Sequence, residues 1–206
     1  VGHAPPRNTP SPTPEITPRA RTLTMARLWQ DHKAAFWELQ WQAIDAIDLF
    51  MARVNFHTKN VAAQNRIETA VCQLTASSRQ LVACEIDSSL PQGMVMACEL
   101  AGKAVLLRDG MSPESVRQIR HDMPRLFSEV SARIASPLDS IVGNVIASLP
   151  DYVAVRYDAP PMTIADAQDL FRKAMFIVAD FLRRTNHDQA YWREVTAGKL
   201  PARVIP

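Results

Sequence analysis

Hydrophobic residues recur at alternating steps of three and four along one uninterrupted stretch of the chain. Phe36, Leu39, Ala43, Ala46 and Phe50 form a seam that resumes, after a polar gap, in the same phase at Ile67, Val71, Leu74 and Leu81. From Arg19 to Leu90 there is neither glycine nor proline, the two residues that helix interiors exclude. This spacing predicts a long N-terminal helix, or a helical hairpin, with a coiled-coil-like seam packing along its length on something else. In the gap the seam positions fall to Arg53, His57, Asn60 and Gln64, which cannot form a dry core. Either one helix carries on through solvent or the chain turns near residues 57–60. The retained phase favours continuity, and one helix from Thr24 to Ile86 would extend roughly 90 Å. A rod of that length has a purpose mainly in an assembly.

A second apolar set widens the arc of the first helix. Trp29, Phe36, Trp37 and Trp41 fall close together, with Trp37 and Trp41 one turn apart on the same side. The segment is therefore expected to be covered on more than one side, as a central core helix or as a partner-binding surface anchored by these four aromatics. Asp31, Glu38 and Asp45, at seven-residue steps and with Asp48 nearby, read as a solvated face. No helical Glu-x-x-His accompanies them to complete a carboxylate metal site.

Beyond the turn at residues 87–93, Met94 to Leu107 is apolar almost all round and predicts the most deeply buried helix, with Glu99 and Lys103 as one exposed i,i+4 pair. Gly110 stops it. Ser112 and Pro113 cap and open a helix carrying Val116, Ile119, Met123, Leu126 and Val130, which Pro124 should kink. Ser136 and Pro137 begin another, with Leu138, Ile141, Val142, Val145, Ile146 and Leu149 on one face. Tyr152 to Tyr157 alternates like a strand and predicts an extended connector, since one strand has no partner here. Thr163 and Asp166 form a capping box for a helix with Ile164, Leu170, Phe171, Ala174, Ile177, Val178, Phe181 and Leu182 inward. Asp169–Lys173 and Asp180–Arg184 would brace its outside. A last short helix carries Tyr191, Trp192 and Val195.

The sum is an all-α protein of six or seven helices. Its organisation reads as an extended proline-rich tail over residues 1–21, a helical domain over 22–198 and a C-terminal tail over 199–206. The tail prolines include Pro10, Pro12 and Pro14 and favour extended conformation, so a neighbouring subunit is the simplest thing to order them. With 206 residues, 47% of them hydrophobic and 21% charged, the chain is long enough for one sizeable core. A net charge of +2 lacks the basic excess of a dedicated nucleic-acid binder. Cys72, Cys84 and Cys98 are odd in number and have no Cys-x-x-Cys spacing, so neither a disulfide framework nor a zinc site is expected. An intracellular, reducing compartment fits them best. The apolar runs are read as too short for a membrane span.

Catalytic motifs are few. There is no Gly-rich phosphate loop, no Gly-x-Ser-x-Gly and no His-Glu-x-x-His, and no cofactor, catalytic residue or metal ligand is assigned. The His121-Asp122 and His187-Asp188 dipeptides would suit a metal-dependent phosphohydrolase of His-Asp type. Their alternative is surface pairs near helix ends. Arg117, Arg120, His121 and Arg125 on one helix face, with Arg7, Arg19, Arg21 and Arg27 near the N-terminus, would suit phosphate contacts in a coat or nucleocapsid protein that binds RNA or DNA. The leading expectation is a non-enzymatic structural or assembly subunit whose partners are protein subunits, self or other.

Overall fold

The computed structural model describes residues 26, 27, 29–56, 58–158, 161–185 and 197. Regular structure among them is helical throughout: α1 (Lys33–Asn55), α2 (Val61–Ala83), α3 (Ser89–Arg108), α4 (Pro113–Gln118), α5 (Met123–Arg133), α6 (Asp139–Ala147), α7 (Tyr152–Asp158) and α8 (Ile164–Thr185). The chain divides into two units, residues 1–39 and 40–206. In the first, the Trp29 ring meets Phe36 edge-on at 5.0 Å and Trp37 at 5.8 Å, and the Lys33 ammonium lies 5.5 Å from the Trp29 ring.

In the second unit α3 is the core helix. It packs against α2, α4, α5, α7 and α8, and Leu90, Met94, Ala97, Cys98, Ala101, Ala104 and Leu106 are wholly buried, as its all-round apolar sequence predicts. By length and composition α3 would also cross a membrane, but most of it is buried among its neighbours. Gly102 lets α5 and α8 approach it closely. A Cβ there would stand 2.9 Å from a Leu126 methyl and 3.0 Å from the Phe181 ring. Burial pushes the Cys98 thiol up to about 12, which leaves it inert.

The rod expected from the continuous phase does not form. Asn60 stops it by capping α2, its side-chain oxygen accepting from the Ala63 amide at 3.2 Å while its Nδ2 donates to the Leu107 carbonyl at 3.0 Å. One side chain thus begins α2 and ties it to the end of α3. Ile67, Val71 and Leu74 then bury as their spacing predicts. At the other end of α2, Cys84 takes a left-handed conformation, φ 56°, and ends the helix where glycine would be usual.

Three further expectations are corrected. Pro124 does not kink a helix: Asp122 caps α5 by accepting from the Arg125 amide at 2.9 Å, so the proline stands in the first turn, where its missing donor is not needed. The segment from Tyr152 is helix α7, started by Asp151 accepting from the Ala154 amide at 2.9 Å, and the local cap overrides the strand-like alternation. These two changes raise the helix count among the described residues to eight. Third, the Asp180–Arg184 pair faces inward. Arg184 donates to Asp180 at 2.7 Å, to Asp139 at 2.6 Å and to the Ile134 carbonyl at 2.8 Å, joining α8 to α6 and the end of α5. Burial pushes the Asp180 carboxyl up, while Arg184 and the Ser136 hydroxyl oppose it.

The Ser112–Pro113 start of α4, the Gly110 stop with φ 92° and the Thr163–Asp166 capping box form as expected. Ile164 departs from its predicted place, because it sits in the first turn of α8 and is exposed. The short helix expected around Tyr191 lies outside the described residues.

Candidate interaction surface

Helix α1 is built inside out. From Leu39 to Met51 the exposed positions are Leu39, Ala43, Ala46, Ile47, Phe50 and Met51, and every one is apolar. Phe50 is 74% exposed and Ile47 60%. The opposite face carries Trp41, Asp45 and Leu49, all buried, and Asp45 is the most deeply buried of the three. Positions 43, 47 and 50 lie about half a turn from 41, 45 and 49, so one face can enter the core only if the other leaves it.

Arg183 of α8 decides which. Its guanidinium donates to Asp45 and, at 2.6 Å, to Asp48. Burial works against the charge on Arg183, but the two carboxylates outweigh it and hold the group protonated. Burial likewise pushes the Asp48 carboxyl up, against the pull of Arg183. Rotating α1 by half a turn would bury Phe50 and Ile47 and gain about 1.5–3 kcal/mol for each. It would also break the buried pairing of Arg183 with Asp45 and Asp48, a loss of about 3–5 kcal/mol, and drive Trp41 and Leu49 into water. The observed phase is the more stable one. The expected burial of the Ala43–Ala46–Phe50 seam and the expected solvation of Asp45 and Asp48 are thus both overturned by one ion cluster.

Beside the exposed stripe runs an apolar groove of about 390 Å³, walled by Leu49 and Phe50 of α1, Val71 and Leu74 of α2, and Phe171 and Met175 of α8. Knob and hollow therefore share one face.

The chemical candidate lies elsewhere, in an open cleft of about 650 Å³ lined by the Arg120–Pro124 turn, the end of α6 and the start of α7. His121 Nδ1 is 2.7 Å from Glu99, its ring stacks on Tyr152 at 4.5 Å, and Glu99 also holds Lys103 at 2.6 Å. The Glu99–Lys103 pair expected at the surface is thus buried, because α4, α5 and α7 close over that side of α3. Lys103 donates in addition to the carbonyl of Arg120, whose φ is 55°. The Asp122 carboxylate serves as the cap of α5, so the two side chains of the His-Asp step go to different partners. Among the described residues no group of three or more His, Cys, Asp or Glu side chains is arranged to hold a metal ion. His187-Asp188 lies outside them.

Of the four aromatic anchors expected to meet a partner, Trp29 is exposed, Phe36 and Trp37 are half-buried and Trp41 is buried. Trp41 belongs to the inner face of α1 and cannot reach a partner. Pro10, Pro12 and Pro14 lie outside the described residues, as do Arg7, Arg19 and Arg21. Arg27 is exposed. The shared cationic helix face does not form, because α4 ends at Gln118 and α5 begins at Met123. Arg117 is paired with Glu114 at 2.9 Å, Arg120 sits in the turn, and Arg125 donates back to the Gln118 carbonyl at 3.2 Å. Sequence reasoning placed Ala43, Ala46 and Phe50 on one stripe but assigned it to a packed seam, and it singled out neither Ile47 nor Met51.

Comparison with protein-family models, with curated proteins and with solved structures gave no match in any of the three.

Proposed function

We propose that this protein is a non-enzymatic structural or assembly subunit acting through protein–protein contacts, in a homo-oligomer or a larger complex. The observation that carries the reading is the uncharged outer face of α1, where large side chains stand in water beside an apolar groove. A stripe of this kind is about as large as the largest apolar patch of a typical monomer, and such patches are often functional. The chemistry of the face selects the class of partner. Phosphates require cations, and none is exposed between Leu39 and Met51. Helices that lie on anionic bilayers carry Lys and Arg on their polar side, whereas the inner side of α1 carries Asp45 and Asp48. An apolar protein surface is the complement that remains.

The test is accessibility. Ile47→Cys, in a chain with Cys72→Ser and Cys84→Ser, would be labelled with a maleimide and followed by peptide mass spectrometry. Labelling should be fast in the dilute purified chain and at least tenfold slower in the cells that make it. Equal rates in both settings would defeat the proposal.

A further inference from the structure

We infer that the partner on this face is a second copy of the chain, its α1 lying antiparallel to the first about a two-fold axis that passes between Ala46 and Ile47. This rests on reading the outer face of α1 as a docking surface, and three observations lead from there to the occupant.

The first is the order of sizes. Over its two middle turns the outward row reads Ala43, Ala46, Ile47, Phe50, two small residues followed by two large ones, with Leu39 and Met51 exposed beyond either end. A two-fold axis at the centre of that row sets Phe50 of one copy over Ala43 of the other and Ile47 over Ala46, each pair occurring twice. Knob meets hollow in the four central contacts, the self-complementarity that an isologous interface needs. In a parallel pair Phe50 would confront Phe50 and Ala43 would confront Ala43, with crowding at one end and a gap at the other.

The second is area. Ile47, Phe50 and Met51 are 60%, 74% and 39% exposed. At ~200 Å² for a whole large side chain they offer roughly 350 Å² per copy. With the two alanines and the groove rim, a symmetric pair covers roughly 1,000 Å², about the minimum for a biological interface and below the ~1,200–2,000 Å² of stable ones. The pair should form reversibly.

The third is charge. The carboxylates that this arrangement brings nearest are Asp45 of one copy and Asp48 of the other, and in each copy both are turned inward on Arg183. Like charges do not meet across the seam.

The experiment uses the full chain with Cys72→Ser and Cys84→Ser, both positions being exposed. Ala43→Cys chains mixed with Phe50→Cys chains should cross-link on mild oxidation. Phe50→Cys alone should not, because its two copies would lie seven residues, ~10 Å, apart along the axis. Light scattering should show a mass rising with concentration from 23.0 kDa towards twice that value. Ala46→Glu should stay monomeric throughout with an unchanged helical circular dichroism spectrum. Preferential linkage of Phe50→Cys to itself would overturn the antiparallel arrangement. A mass fixed at 23.0 kDa without a 43–50 link, while Ile47→Cys stays protected in cells, would overturn the second copy and leave the docking surface standing. Loss of that protection as well would remove both.

Discussion

Replacing Arg183 by methionine tests the claim that one buried cation sets the phase of α1. The guanidinium is 9% exposed and binds Asp45, whose side chain is 1% exposed, and Asp48, whose side chain is 32% exposed. Methionine fills a similar volume, so the change removes charge and hydrogen bonds more than packing. Asp45 then loses its pairing with Arg183 in the interior, and breaking a buried pair in this way costs about 3–5 kcal/mol. Asp48 can turn to solvent, so its share is worth no more than ~1 kcal/mol. A total of about 3–6 kcal/mol corresponds to a fall of roughly 6–24 °C in Tm for a chain of this size. Urea denaturation followed by circular dichroism measures the loss, and hydrogen exchange in residues 40–51 shows whether α1 loosens first. Asp45→Asn should cost clearly more than Asp48→Asn. The triple change Asp45→Leu, Asp48→Leu, Arg183→Met should recover most of the loss, since apolar groups of similar volume can replace a buried ion cluster. If Arg183→Met lies within about 0.5 kcal/mol of the parent, or if the two asparagine variants are equal, the account of α1 is wrong.

Two further outcomes are expected. Gly102→Ala would gain up to ~1 kcal/mol of helix propensity but would force its Cβ against Leu126 and Phe181, an overpacking loss of about 1–3 kcal/mol; the net should be destabilising by chemical denaturation, and Leu126→Val should relieve it, whereas a stabilised Gly102→Ala would refute the close approach. The Thr163 hydroxyl, followed by the Thr163 amide, holds the Asp166 carboxyl below its ordinary value, so this contact supports α8 above the unfolded carboxyl value and is lost as pH falls through the lower folded one. An NMR titration should show the Asp166 midpoint depressed and raised again by Thr163→Ala, and an unmoved midpoint would count against the capping box.

How far the sequence reveals the fold depends on how local each cause is. The core helix around Met94 to Leu107, the stops and starts at Gly110, Ser112 and Thr163, and the one-sided face of α6 rest on residues within one or two turns of each other, and they form as read. Asp122 with Pro124, and Asp151 after Pro150, were equally local signals that favoured helix starts. They override the alternation from Tyr152 and the kink expected at Pro124. The inner faces were illegible for another reason. Nothing near Asp45 discloses that its cation stands 138 residues away at Arg183, or that Glu99 meets His121 across a turn. For the candidate interface the periodic stripe was plain, but periodicity reports only that a face is apolar. Whether that face turns to the chain's own core or away from it was decided by the distant charge.

Arg183 and Arg184 are neighbours in the last turn of α8, yet they reach to opposite sides, the first to α1 and the second to Asp139 and the Ile134 carbonyl. Helix ends are where fraying starts. A single opening of that turn would therefore slacken two distant parts of the unit at once, and amides near Asp45 should exchange with the same opening free energy as those near Asp139. Two adjacent residues would thus couple openings that a map of direct contacts would treat as unrelated.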